Sequence, residues 1–198
     1  MSSAQLVKQL RERTGAGMLD CQTALRESKD DLEQAARYLR EKGISAAAKK
    51  AGRVAQDGLV GSYIHMGGKL GVLIEVNCET DFVAKTDDFQ QLVRSLAMQV
   101  AAAAPPPEFV QRQQIPPARL EQEAAIFRAQ VKDKPAHLIE QIVKGRIDKF
   151  CAEICLLDQK YIKDPDITVS QLITQAIAKL GENIAVRRFI RYQLGEQS

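Results

Sequence analysis

The sequence contains no tryptophan, and only 5% of its 198 residues are aromatic. Its 28 basic and 25 acidic side chains leave a formal net charge of only +3. Proteins that bind single-stranded nucleic acid need aromatic stacking surfaces, and duplex binders need a large basic excess. Nucleic acid is therefore not favoured as the main ligand.

Long apolar runs are also missing. No stretch is long and apolar enough to span a bilayer, and the N-terminal residues MSSAQLVKQLRERTG contain no apolar core of the signal-peptide type. The 45% share of apolar residues is nevertheless that of a packed globular protein. We therefore expect a cytoplasmic protein that does not bind membranes.

Cysteine and histidine are scarce and poorly spaced for metal binding. The chain contains Cys21, Cys78, Cys151 and Cys155, with His65 and His137 as the two histidines. No CxxC pair occurs, so a zinc site or a disulfide framework is not expected. We predict reduced, mostly buried thiols and no metal or cofactor. A thiol enzyme in which His65 activates Cys78 across a hairpin stays open as an alternative.

Familiar catalytic motifs are absent as well. The chain has no GxxxxGK[ST] loop, no GxGxxG fingerprint, no GxSxG elbow and no HExxH helix. The usual sequence signs of nucleotide binding, hydrolase chemistry and metalloprotease chemistry are therefore missing.

Residues 1–44 have the pattern of three short helices. Their apolar positions recur at helical spacing, namely Leu6, Val7, Leu10, Met18, Cys21, Leu25, Leu32, Ala36 and Leu39. Asp30 has the position of an N-cap for the third helix, and Gly43 has the position of its stop. Residues 45–57, SAAAKKAGRVAQD, are predicted to form a basic helical connector.

Residues 58–198 combine strands with helices. The segments GLVGSYIH and KLGVLIEVN flank Gly67 and Gly68, which predicts a β-hairpin. A helix capped by Asp87 or Asp88 follows, then a helical hairpin at about 118–158, a helix over 169–180 and a strand over 184–194. The whole chain is predicted to be α+β: a three-helix module followed by a helix-rich core with a small antiparallel sheet.

The second helix of the predicted hairpin carries a continuous apolar stripe. Its members recur at spacings of three and four: Ile139, Val143, Ile147, Phe150, Ile154 and Leu157. Such a stripe packs against another helix. Ordinary core packing and self-association both stay open as interpretations.

The stretch EVNCETDFVAK, residues 75–85, places an apolar pair in an unusual position. Phe82 and Val83 follow Asp81 in the connection from a strand to a helix. Either Phe82 staples itself onto the next helix near Phe89, or it is exposed for another molecule to receive. The two interpretations imply different functions.

EVNCETDFVAK resembles the central signature of the elongation factor Ts family. Three further blocks resemble family signatures in the same order, namely LRERTGAGMLDCQTAL at 10–25, KPAHLIEQIVKGRIDKF at 134–150 and LLDQKYIKDPDITV at 156–169. Gln22 and Thr23 depart from this pattern, because relatives often have lysine there. This departure puts any charge contact at these two positions in doubt.

The resemblance implies a function without bond-making chemistry. Members bind elongation factor Tu with GDP and promote the release of GDP and magnesium, so that GTP can bind. The protein would then be a guanine nucleotide exchange factor and not an enzyme. Its length resembles the short form of the family, in which a second chain completes the core. Residues 58–198 would then also form a homodimer, through either the apolar helical stripe or the edge of the sheet.

The resemblance also implies which residues contact elongation factor Tu. Thr80, Asp81, Phe82 and Val83 would enter the nucleotide site of the partner. The N-terminal module, similar in fold to ubiquitin-associated domains, would contact the nucleotide-binding domain through Arg11, Met18 and Leu19. A passive protein-binding module of the ubiquitin-associated type, without exchange activity, is the alternative.

Overall fold

The structure is a computed structural model that describes residues 3–196. Within this range the α-helices are α1 (Ser3–Thr14), α2 (Met18–Glu27), α3 (Leu32–Lys50), α4 (Asp81–Ala84), α5 (Asp87–Ala102), α6 (Pro117–Gln130), α7 (Ala136–Ile154) and α8 (Val169–Leu180). The strands are β1 (Asp57–Ile64), β2 (Leu70–Cys78), β3 (Lys160–Tyr161), β4 (Asp164–Thr168) and β5 (Ala185–Gln193). The fold is α+β and rich in helix, as predicted.

The chain divides into two compact units. The first comprises the described residues up to Leu59 together with Val76–Leu92 and Gln171–Ala185. The second comprises Val60–Glu75, Val93–Ser170 and the described residues from Val186 onward. The predicted domain boundaries, 1–44, 45–57 and 58–198, stay a prediction.

In the first unit, α1, α2 and α3 surround a small apolar core. Its buried members are Leu6, Val7, Leu10, Cys21, Ala24, Leu25 and Ala35. The N-cap of α3 is Asp31 rather than the predicted Asp30, because the Asp31 carboxylate accepts hydrogen bonds from the backbone N–H groups of Glu33 and Gln34. Asp30 instead has a positive φ of 63° in the preceding turn.

Gly43 does not end α3, contrary to the sequence prediction. The helix continues to Lys50, and the rest of the predicted helical connector, residues 51–56, is not helical. A Cβ atom added to Gly43 would lie 3.3 Å from the Cβ of Ala178 on α8. Gly43, which has no side chain, therefore permits the close approach of α8 to α3. A prediction from local sequence alone does not include this contact between distant segments.

The three-stranded antiparallel sheet has the order β1-β2-β5. The predicted hairpin closes with a hydrogen bond of 2.8 Å from His65 N to Leu70 O, and Gly67 and Gly68 have φ values of +89° and +68° in its turn. On β2, the buried side chains Val72, Ile74 and Val76 alternate with more exposed ones. The prediction of a hairpin plus a C-terminal strand is confirmed.

A second, two-stranded sheet was not predicted from the sequence. It pairs β3 with β4 in an antiparallel manner. A strand as short as Lys160–Tyr161 is below the length at which alternation of apolar residues can be recognised. Similarly, the cap of α5 is Thr86, whose Oγ1 accepts from Phe89 N at 3.3 Å, whereas Asp87 and Asp88 lie in the first turn.

In the second unit, α6 and α7 form the predicted helical hairpin. Arg128 on α6 donates to both carboxylate oxygens of Glu140 on α7, at 2.8 and 3.0 Å. Val143 and Ile154 in the apolar stripe of α7 are buried within the chain, which supports the core-packing interpretation at these positions. All four cysteines are buried, as predicted.

A buried amide network holds the second unit together around Gln99, which is 1% exposed. Gln99 Nε2 donates to Gln159 Oε1 at 3.2 Å and to Lys160 O at 3.1 Å. Gln99 Oε1 accepts from Ile162 N at 2.8 Å. Because buried polar groups need partners, the two glutamines determine how α5 and the β3–β4 segment fit together.

We predict that Gln99→Leu lowers the free energy of unfolding by about 3 kcal/mol, because the Ile162 N–H and the Gln159 amide lose their buried partner. Urea denaturation followed by circular dichroism measures this loss. The control is Gln91→Leu, which changes an exposed glutamine on the same helix. Equal midpoints for the two variants would show that the network contributes nothing.

Candidate functional site

The candidate site follows directly after β2. The strand ends at Cys78, and α4 begins at Asp81 as a helix of only four residues. Thr80 is its N-cap, with an Oγ1 that accepts a hydrogen bond from Val83 N at 3.4 Å. The sequence-predicted residues Thr80 to Val83 therefore form one cap and one helical turn.

Phe82 is 81% exposed. Ala84 is the residue of α4 that is buried, while Phe89, the expected staple partner, is fully buried in the core without Phe82. The staple interpretation is therefore wrong. Single exposed apolar residues are common on protein surfaces, so the exposure of Phe82 does not by itself indicate a binding site. It becomes informative because hydrogen bonds hold the loop in one conformation.

Glu182, in the turn between α8 and β5, holds the loop. Its Oε2 accepts from the backbone N–H groups of Glu79 and Thr80, both at 3.0 Å, and its Oε1 accepts from Thr80 Oγ1 at 2.6 Å. In return, Glu79 Oε1 accepts from the backbone N–H of Asn183 at 2.6 Å. Sequence analysis missed Glu182 because no local pattern connects residues this far apart in the chain.

Arg53 joins the same cluster. Its guanidinium lies 3.5 Å from the Glu79 carboxylate, and its backbone oxygen accepts from Asn183 Nδ2 at 2.8 Å. Loop, turn and the segment after α3 are thereby connected within the first unit.

Asp81 forms an ion pair with Lys85 one turn later, with Lys85 Nζ 2.6 Å from Asp81 Oδ2. The hydrogen bond from Lys85 lowers the pKa of the Asp81 carboxyl, and the carboxylate in turn raises the pKa of Lys85. Asp81 is therefore a carboxylate at neutral pH whose charge is offset by its neighbour.

We predict that Asp81 titrates below its ordinary pKa of 3.8 and that Lys85→Met moves its midpoint upward. Because the pKa is lower in the folded state, the stabilisation by the pair is present above the ordinary pKa and is lost as the pH falls through the folded one. Carbon-13 NMR of the carboxyl group measures the midpoint. Lys179→Met is the control, since it removes a cation that pairs with Asp88. An Asp81 midpoint unaffected by Lys85→Met would refute the pair.

The other predicted contact residues flank the turn from Gly15 to Gly17. Arg11 lies in the last turn of α1, and Met18 and Leu19 begin α2. All three are exposed, Leu19 to 78%. Like the loop after β2, this apolar surface belongs to the first unit.

The two positions that depart from the family pattern lie on α2. Gln22 is exposed, and Thr23 Oγ1 donates to Leu19 O at 2.9 Å. Thr23 therefore binds its own helix through its hydroxyl group.

The geometry does not support a thiol enzyme. Burial raises the pKa of the Cys78 thiol, which donates to Thr80 O at 3.1 Å. An activated thiol needs a lowered pKa. His65 pairs with Leu70 at the opposite end of β2 from Cys78, and its Nδ1 lies 3.0 Å from the hydroxyl of Tyr63.

Within residues 3–196, no three side chains of the types His, Cys, Asp and Glu are grouped so that they could hold a metal ion. The helices of this part of the chain include none with the length and apolar character needed to cross a membrane.

Comparison with known proteins gives consistent matches. A family profile described as "Elongation factor TS" matches residues 16–196, a range that includes Met18, Leu19 and the loop after β2 but not Arg11. Elongation factor Ts of Carboxydothermus hydrogenoformans is 57% identical over 99% of this chain and 90% of its own length. The corresponding protein of Moorella thermoacetica is 58% identical over 99% of this chain and 97% of its own length, and that of Geobacter sulfurreducens is 55% identical over 98% and 90%.

An α+β chain with a three-helix N-terminal bundle and these matches is a translation elongation factor. It belongs to the elongation factor Ts family.

Proposed function

We propose that the protein is the guanine nucleotide exchange factor of elongation factor Tu in the cytoplasm. It binds elongation factor Tu with GDP and promotes the release of GDP and magnesium, after which GTP binds. The protein makes no bond itself. The observation that carries the proposal is the exposed Phe82 on the fixed loop after β2, within the block EVNCETDFVAK that resembles the family signature.

The physical basis of exchange is linkage. A factor that binds nucleotide-free elongation factor Tu more tightly than the GDP-bound form must weaken GDP binding by the same ratio. The contacts that matter are therefore those made only after GDP and magnesium begin to leave.

Phe82 supplies an apolar contact of this kind. In the free protein most of its ring is in contact with water. Burying the ring in a pocket of elongation factor Tu contributes about 2 kcal/mol. If that pocket opens only when the nucleotide site is distorted, this energy stabilises the distorted state.

Asp81 supplies charge next to Phe82. A carboxylate placed where magnesium and phosphate were bound disfavours the return of phosphate once the cation has left. Lys85 offsets this charge in the free protein, and its side chain is exposed enough to turn away when the loop is bound.

Arg11, Met18 and Leu19 supply a separate contact with the nucleotide-binding domain of elongation factor Tu. Their exposed apolar surface contributes affinity whether or not GDP is bound. Such uniform binding brings the factor to its partner without accelerating release, so the two sets of residues have different roles.

We predict that Phe82→Ala slows stimulated GDP release by about 30-fold, which corresponds to about 2 kcal/mol. Asp81→Ala is expected to slow it as well, and both variants keep the fold because neither side chain is in the core. Stopped-flow release of a fluorescent GDP analogue from elongation factor Tu measures the rate. Val54→Ala, an exposed apolar residue elsewhere in the first unit, is the matched control.

The same measurement separates exchange from passive binding. A passive module of the ubiquitin-associated type would bind elongation factor Tu without accelerating GDP release. Acceleration by the parent protein that Phe82→Ala largely abolishes supports exchange through this loop. Release by Phe82→Ala as fast as by the parent would remove Phe82 from the mechanism.

We also propose that the protein forms a homodimer through the outer face of the three-stranded sheet, by the part of the sheet that belongs to the second unit. This face carries exposed apolar side chains, namely Val60, Ile64, Leu73, Ile190 and Tyr192. The hydrogen bond from Leu194 N to Lys69 O fixes the antiparallel register of β2 and β5 that places Leu73 beside Ile190. An apolar face of this kind suits an isologous contact with a second copy, since apolar side chains complement each other across a two-fold axis.

We predict that Leu73→Glu converts the dimer to a monomer, because it places a carboxylate in the buried apolar face, where removal of its charge from water is costly. Sedimentation equilibrium at micromolar concentration measures the mass. Ile126→Glu on α6, an equally exposed isoleucine outside the sheet, should leave the dimer intact. A monomeric parent, or a dimeric Leu73→Glu variant, would contradict this interface.

A further inference from the structure

We propose that Glu182 is a positioning residue for nucleotide exchange, which fixes the direction in which the loop after β2 presents Asp81 and Phe82. The inference rests on the proposed exchange function. Glu182 lies about a hundred residues after this loop in the chain and holds it through hydrogen bonds from Glu79 and Thr80. It is therefore expected to act through the loop and not by touching the partner.

The first step in the argument is the use of both oxygens of one carboxylate. Oε2 accepts from two successive backbone N–H groups, and Oε1 accepts from the Thr80 hydroxyl. Hydrogen bonds to an ionised acceptor are stronger than those between neutral groups. Three such bonds to two adjacent residues fix the backbone orientation at the point where β2 ends.

The second step connects Glu182 to α4. The Thr80 hydroxyl donates to Glu182 Oε1, which leaves its oxygen lone pairs to accept from Val83 N. Glu182 thereby orients the N-cap group of α4. A helix of four residues is too short to be stable alone, so its direction depends on such external contacts.

The third step is the reciprocal contact. Gly181, with a φ of +81°, ends α8 and directs the chain so that Glu182 faces the loop. The Glu79 carboxylate then accepts from Asn183 N at 2.6 Å. Each segment thus supplies a carboxylate to the backbone of the other, and neither can rotate alone without breaking a charge-assisted hydrogen bond.

The consequence for exchange is pre-organisation. A loop already held in its binding conformation loses little conformational freedom when it meets the partner. Phe82 can then enter its pocket without prior ordering of the residues before it. Loss of Glu182 should reduce the rate of exchange while the two cores stay folded.

A double-mutant cycle on stimulated GDP release from elongation factor Tu tests the positioning role of Glu182. Glu182→Ala is expected to slow release about tenfold. In the Phe82→Ala background, Glu182→Ala should cause no further slowing, because there is no ring left to position. Glu182→Gln should lie between, since its amide oxygen still accepts from backbone N–H while its NH₂ group cannot accept from Thr80.

The matched control is Asp88→Asn. It removes the negative charge with which Asp88 on α5 pairs with Lys179 on α8 at 2.6 Å, an ion pair of the same unit that does not touch the loop. Its release rate should equal that of the parent. Amide hydrogen exchange of the free protein gives a second readout: Glu182→Ala should lose protection at Glu79 and Thr80, whereas Asp88→Asn should not.

The outcomes separate the inference from the function on which it rests. If Phe82→Ala releases GDP as fast as the parent, the proposed role of the loop fails. If Phe82→Ala is slow but Glu182→Ala is not, the positioning role alone is overturned. Additive effects of the two changes, or retained amide protection at Thr80 in Glu182→Ala, would also overturn it. Should Glu182→Ala not fold, the cycle is run with Glu182→Gln under the same criteria.

Discussion

The candidate site depends on the hydrogen bonds between the loop after β2 and the turn after α8, in which a carboxylate of each segment accepts from backbone N–H groups of the other. Glu182 accepts from the backbone of Glu79 and Thr80, and Glu79 accepts from the backbone of Asn183. Backbone N–H groups at strand and helix ends have no partner within their own element, so each carboxylate satisfies donors that would otherwise need water. The result is a fixed loop at a place where a chain usually moves.

Such support explains how an apolar ring can stay exposed without collapsing onto its own protein. Ala84 is buried and Thr80 caps the N-terminus of α4, so the two ends of this short helix are both held while Phe82 faces water. The exposed ring is unfavourable in the free protein by the same hydrophobic term that favours its burial in a partner. A mobile loop could bury Phe82 against its own protein, and the free energy gained by burying the ring in a partner would then be lost.

The errors of sequence interpretation share a physical origin in packing between distant segments. Gly43 has the local character of a helix stop, yet α3 continues through it to Lys50, and α8 approaches so closely there that an added Cβ would lie 3.3 Å from the Cβ of Ala178. The buried pair Gln99 and Gln159 has no apolar signal at all, although it connects several elements of the second unit. The predicted N-caps of α3 and α5 were each wrong by one or two residues, and the observed caps are Asp31 and Thr86. Neighbouring polar residues compete for the same backbone donors, so a local pattern does not select among them.

The sequence by itself determined the α+β class, the helical hairpin and the family, because apolar periodicity, glycine turns and signature blocks are properties of contiguous residues. It also singled out Phe82, Asp81 and the N-terminal contact residues as candidates. Only the tertiary structure decided that Phe82 is exposed and not stapled to Phe89, and that Glu182 holds the loop. The reason is that exposure and hydrogen bonding depend on which residues meet in space, and α8 brings Glu182 to Thr80 from about a hundred positions further along the chain.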